Sequence, residues 1–155
     1  MEKKHRAVFP TPYRSTEASE CIRFRYIYCQ CYEIVLPGGV TIVTDPFISG
    51  AVDDFTIDDL SGADYIILSH THFDHDMDTR KIWDKFHGRI ICLKEVAMDI
   101  AEFFDIPYSN IYAVSENCTY YMPDFTLQTF HGLHDNRKAR EGTDCKDAEH
   151  LSGFL

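Results

Sequence analysis

The sequence predicts an α/β layered domain, and three observations carry that expectation. IRFRYIY, from Ile22, alternates apolar and polar residues with period two, and YEIVL leads through Pro37-Gly38-Gly39 into VTIVTD as strand, turn, strand. From residue 63 to residue 114, short apolar runs alternate with amphipathic helix patterns. The 155 residues, 45% of them hydrophobic and 14% aromatic, suffice for one sizeable core.

Residues 1–20 (KKHR, then FPTPYRSTEASE) show no periodicity and read as an extended, poorly ordered leader, with the domain proper spanning 21–155. IRFRYIY then alternates, with Ile22, Phe24 and Tyr26 on the apolar side. Arg23 and Arg25 fall on the side expected to face solvent, or to meet an anionic substrate if it turns toward a site. YEIVL and VTIVTD, joined by Pro37-Gly38-Gly39, form a strand-turn-strand unit. The acidic stretch Asp53 to Asp64, with a helical turn at Ile57 to Leu60, feeds the buried strand YIIL.

Past residue 78, Asp78 or Thr79 is expected to cap a helix through RKIWDKFHG, with Ile82, Trp83 and Phe86 packing and Gly88 ending it. RIICL is the next strand, and EVAMDIAEFF a helix with Val96, Ala97, Ile100, Ala101 and Phe104 on one face. IYAV, CTYYM and FTLQTFH are further strands, the last two separated by Pro123-Asp124. The charged stretch Asp135 to His150 reads as a surface loop. Its Arg137, Lys138 and Arg140 either grip a phosphate or carboxylate or are simply solvated.

Between Ser69 and Thr79 the chain reads SHTHFDHDMDT, with His70, His72, Asp74 and His75 inside six positions directly after an apolar strand. Imidazole and carboxylate are the donors that suit zinc and similar first-row cations. In an extended segment alternate residues share a side, so His70 and His72 can converge on one cation. Asp74 and His75, past a bend, turn toward a second. A metal pair lowers the pKa of a bound water and polarises the substrate oxygen that the resulting hydroxide attacks, with Asp74 ligating and passing the proton. Two downstream histidines compete for the third place at the first cation. By strand parity His131 shares a side with Phe125, Leu127 and Thr129 at a strand end, which favours it. His134 is kept as a substrate or proton-transfer residue.

HxHxDH after a hydrophobic strand resembles the metallo-β-lactamase superfamily, and the likeness extends to TIVTDPFISG (Thr41 to Gly50), FTLQTFH (Phe125 to His131) and HLSGFL (His150 to Leu155). The resemblance implies the first half of an αβ/βα sandwich, a mixed sheet with flanking helices. It makes His131 the third histidine of the first metal and puts Asp45 under the metal centre, bracing its ligands. DMDT after the motif looks more like the ascorbate-phosphate lactonase-like hydrolases than the thioesterases of the glyoxalase II type. The family's bridging Gly-Asp-Thr aspartate and its last histidine have no counterpart before Leu155. The expectation is therefore a C-terminally truncated member with an exposed sheet face or edge, prone to self-association.

Four functions follow from these residues and the resemblance. The leading one is a metal-dependent hydrolase of a small lactone, ester or phosphoester. The others are an inactive metal-binding half-domain, a nuclease of the same fold, and a flavodiiron-like oxygen-reducing site. The expected cofactor is one or two zinc ions, with manganese or iron as substitutes. The expected partners are a small-molecule substrate and either a second copy or a missing C-terminal half. A net charge of −10 disfavours nucleic acid. MEKKHRAVFP has no apolar run behind it and no window spans a membrane, so the expectation is cytoplasmic. The six cysteines are then expected to be reduced and mostly in the core, the CxC of Cys29 and Cys31 as strand thiols rather than a zinc or redox site.

Overall fold

The computed structural model describes residues 21–51 and 54–132, together with the backbone of Leu151–Phe154. His134, Arg137, Lys138, Arg140, Cys145 and the leader 1–20 lie outside the described residues.

The α/β expectation holds, with strands first and strand-helix alternation after. Strands β1 (Arg23–Tyr28), β2 (Cys31–Val35) and β3 (Thr41–Thr44) form an antiparallel meander. Gly38 and Gly39 turn its second hairpin at φ 92° and 95°, a region that side chains with a Cβ avoid. Strands β4 (Tyr65–Ile67), β5 (Arg89–Leu93) and β6 (Ile111–Val114) then add in parallel, so one mixed sheet runs in the order β1 to β6. A second, antiparallel sheet is made of β7 (Thr119–Tyr121), β8 (Thr126–Gly132) and β9 (Leu151–Phe154).

The helices are α1 (Phe73–Asp76), α2 (Thr79–Phe86) and α3 (Ala97–Phe103). Because successive strand residues point to opposite faces, the large sheet carries two cores. On one face Val43, Ile66, Ile90 and Cys92 pack with Ile82 of α2 and with Ala97 and Ile100 of α3. On the other, Ile42, Tyr65, Ile67 and Ile91 meet Leu127, with Tyr120 and Phe125 packed against them. The Tyr65 and Phe125 rings stand edge to face at 5.0 Å, and the Tyr65 hydroxyl donates to Asp124. Each fully buried isoleucine here stabilises the fold by about 1.5–3 kcal/mol.

Helix α2 forms as its stripe predicts, with Ile82 buried and Trp83 and Phe86 packed on the same core. Its ends differ from expectation. Asp78 stands at the N-cap without capping, because its carboxylate accepts from the Ser49 amide at 2.6 Å and from Lys81 at 3.0 Å. His87, at φ 53°, supplies the left-handed residue that ends the helix. Gly88 has a different task, since a Cβ there would lie 1.9 Å from the Ala63 carbonyl oxygen. Gly88→Ala is expected to cost about 1–3 kcal/mol or more, because backbone must shift rather than a side chain. An unchanged urea midpoint for this variant would show that the junction yields freely.

The first strand reverses the expected faces. Phe24 is 69% exposed and Ile22 and Tyr26 are exposed too, whereas Arg25 lies on the covered side. The reason is Glu33 on β2, opposite Arg25 in register and buried, which takes the Arg25 guanidinium at 3.3 Å. Exposed apolar side chains are also found on β6, β7 and β8, at Tyr112, Tyr121 and Phe130, while β7 and β8 contribute Tyr120 and Leu127 to the core on one face of the large sheet. Of the described cysteines, Cys31 and Cys92 are buried and Cys29 half-buried, but Cys21 and Cys118 are exposed rather than in the core. Burial pushes the Cys31 thiol up to about 12, so it stays protonated and inert. Cys29, at φ 50°, sits in the turn between β1 and β2 rather than in a strand. No helix of the described residues is long and apolar enough to cross a membrane.

Candidate metal centre

The site forms where parallel strands β3 and β4 end side by side, the usual place for ligands in such sheets. The Asp45 amide donates to the Ile67 carbonyl at 2.8 Å, which puts Asp45, just past β3, next to Ser69, just past β4. Asp45 takes φ 39°, a left-handed conformation that aspartate tolerates better than most residues. In exchange its buried carboxylate reaches three donors. Oδ1 accepts from the Ser69 amide at 2.7 Å, and Oδ2 meets the Ser69 hydroxyl at 2.8 Å and His75 Nδ1 at 3.2 Å.

These bonds set the imidazole tautomers. An ionised carboxylate only accepts, so His75 donates through Nδ1, and the neutral ring keeps its electron pair on Nε2. The Ser69 hydroxyl spends its one proton on Asp45. It therefore accepts from His70 Nδ1, 2.9 Å away, and His70 Nε2 is left with an electron pair. That Nε2 faces His72 Nδ1 at 3.0 Å, and the His70 and His75 rings lie 3.9 Å apart.

Two nitrogens each about 2.0–2.1 Å from one cation, at tetrahedral to right angles, lie about 3 Å apart. The His70–His72 separation therefore suits two ligands of a common first-row metal, and the buried serine and aspartate behind them are the supports such ligands use. The donor chemistry fits a cation. Among the described residues, however, no three His, Cys, Asp or Glu side chains are already gathered as a metal cage.

Asp74 and His75, expected past a bend, sit on the single turn of α1. Asp74 Oδ2 lies 3.9 Å from His75 Nε2, with the Asp74 carboxylate about a third exposed. His131 shares strand parity with the buried Leu127 and Thr129 on β8, but is itself exposed at the strand's end. Its ring meets Glu116, at 2.8 Å from Nδ1, and its amide donates to the Asn117 side chain. Pairwise contacts thus link His70 with His72 and His75, and His75 with Asp45 and Asp74.

Three residues escaped the sequence reading. Ser69 is the hub between Asp45 and His70, and only its place directly before the motif hinted at it. Asp76 is buried behind the motif. Desolvation raises its carboxyl to about 7, with Asp45 and Asp74 raising it further and His75 opposing. Glu116 has no sequence signal, because it reaches His131 only through the pairing of distant strands. Beside the motif an aromatic strip runs from Tyr28 through Phe47 to Phe73, both ring pairs at 5.7 Å.

Comparison with known proteins adds the family. The sequence model of the metallo-beta-lactamase superfamily matches residues 26–134. A protein of Enterococcus faecalis named UPF0173 metal-dependent hydrolase is 41% identical over 69 residues, 44% of this chain and 30% of that relative. A protein of the same name from Caldivirga maquilingensis is 33% identical over 64 residues, 41% of this chain and 28% of that relative. The matched stretch is thus under a third of these relatives' length. Among solved structures, Igni18, described as a novel metallo hydrolase from the archaeon Ignicoccus hospitalis, superposes with a TM-score of 0.68 at 15% identity. That match covers 86% of this chain and 55% of Igni18. With the family match spanning most of the domain and the mixed sheet bearing its histidine motif at the β4 end, the chain belongs to the metallo-beta-lactamase superfamily.

Proposed function

We propose that this chain is the metal-binding part of a metal-dependent hydrolase acting on a lactone, ester or phosphoester of a small metabolite. The observation that carries the reading is the chain of hydrogen bonds from Asp45 through Ser69 to His70, which leaves His70 Nε2 with an electron pair 3.0 Å from His72 Nδ1. In this reading His70, His72 and His131 hold one cation, and Asp74 and His75 hold a second. A zinc, manganese or iron ion bound there would lower the pKa of its water and polarise the substrate oxygen.

The chain's own groups have distinct tasks. Asp45 and Ser69 fix the His70 and His75 rings so that neither has to reorient on binding. The partly exposed Asp74 carboxylate takes a proton from the attacking water and returns it to the leaving group. The relatives' shared name, metal-dependent hydrolase, supports this class of activity. A net charge of −10 weighs against nucleic acid as the substrate.

A second reading, a half-domain that binds metal without turnover, is favoured by one observation: among the described residues no three candidate ligands are gathered as a metal cage. Elemental analysis of this chain, purified without chelator or histidine tag, separates the two readings when combined with turnover of generic ester and phosphodiester probes. The hydrolase reading expects one to two metals per chain and turnover abolished by chelator. His70→Ala is expected to lose metal and turnover together. If His70→Ala keeps both, the centre is elsewhere.

A further inference from the structure

We infer that Glu116 is the positioning residue of His131, holding that ring so that Nε2 is presented to the first cation. The inference rests on the proposed role of His131 as a ligand. Glu116 lies in the turn between β6 and β7, fifteen positions before His131, and three contacts bolt that turn to β8. The buried Thr129 hydroxyl donates to the Ser115 carbonyl at 2.6 Å and accepts from the Cys118 amide at 3.1 Å, and the Thr129 amide donates to the Cys118 carbonyl at 2.9 Å. Asn117, at φ 53°, turns its side-chain oxygen onto the His131 amide at 3.2 Å. Both the backbone and the ring of His131 are therefore held from one four-residue turn.

The chemistry of the bond is directional. Glu116 Oε2 stands 2.8 Å from His131 Nδ1, and a carboxylate accepts, so the proton is on Nδ1 and the electron pair on Nε2. His75 is held in the same form by Asp45, and His70 by Ser69. Three of the four proposed histidine ligands thus have Nδ1 engaged by an oxygen. A surface ion pair kept for stability alone contributes little. Here the other oxygen, Glu116 Oε1, is buried and has no hydrogen-bond partner among the described residues, which works against stability. A carboxylate placed at that cost beside an imidazole is explained by what it does to the ring.

The test combines the ring tautomer in the metal-free chain with zinc titration against a chromophoric chelator. Ring nitrogen chemical shifts are expected to show His131 protonated on Nδ1 in the wild type and largely on Nε2 in Glu116→Ala. Zinc affinity is expected to fall about 10–100-fold in Glu116→Ala. In Glu116→Gln, whose side-chain oxygen can still accept from Nδ1, both the tautomer and most of the affinity are expected to return. Loss of affinity in His131→Ala together with wild-type tautomer and affinity in Glu116→Ala would overturn the role of Glu116 and leave His131 as a ligand. Undiminished zinc affinity in His131→Ala would overturn both.

Discussion

Replacing Asp45 by alanine is expected to destabilise the chain by about 3 kcal/mol and to weaken zinc binding roughly 10–100-fold. Three donors converge on this one buried carboxylate: the Ser69 amide, the Ser69 hydroxyl and His75 Nδ1. Alanine would leave the Ser69 amide without its side-chain acceptor, free the serine hydroxyl to turn, and release His75. With the serine turned, His70 Nδ1 loses the acceptor that fixes its proton, so two rings lose orientation through one substitution. Alanine must also take up φ 39° without the local polar contacts that make the conformation tolerable for aspartate. At this chain length the loss amounts to roughly 6–12 °C in Tm. Asp45→Asn tolerates the backbone and keeps one acceptor, so it is expected to recover much of the stability and little of the ring control. Urea denaturation and zinc titration of both variants check this. An alanine variant with wild-type midpoint and affinity would mean that the carboxylate braces nothing.

The contrast between legible and illegible features has a physical basis. Buried strands such as Tyr65–Ile67 and Arg89–Leu93 are apolar on both faces because the sheet is covered on both, and such runs are visible without knowing the partner layer. The α2 and α3 stripes are likewise local properties of period 3.6. The histidine motif was legible because its members lie within one strand end and one helical turn, so spacing alone puts them together. Ser69, also local, was overlooked because a serine beside three histidines carries no signal of its own. Glu116 could not be found, since its contact depends on how the turn before β7 is bolted to β8. The faces of β1 were misread for a related reason. Alternation says that two sides differ, and ordinarily the charged side is wet. Which side is covered was decided by Glu33, on the neighbouring strand β2.

Glu33 is therefore expected to be among the most costly positions in the molecule. Its side chain is 2% exposed, and its oxygens bind the Ser61 amide and the Arg25 guanidinium. Arg25 in turn donates to the Asp59 carbonyl at 3.0 Å and lies over the Phe55 ring. The pair clamps the acidic segment 55–61 against the β1–β2 hairpin, and that segment leads directly into β4 and the histidine motif. Removing one partner of a buried ion pair costs about 3–5 kcal/mol, because the other charge stays behind unpaired. Arg25 keeps some access to water, so Glu33→Ala is expected near the lower end, about 3 kcal/mol. Arg25→Met should cost less than Glu33→Ala, as its aliphatic chain still covers Phe55, although it leaves the Glu33 carboxylate with the Ser61 amide alone. The double variant Glu33→Leu with Arg25→Met removes both charges and keeps the volume. It is expected to be more stable than Glu33→Ala, since matched apolar replacements of buried pairs are often neutral. Chemical denaturation of the three variants decides the matter: if Glu33→Ala unfolds at the wild-type midpoint, the buried carboxylate is not what turns Arg25 inward, and the inverted face of β1 needs another cause.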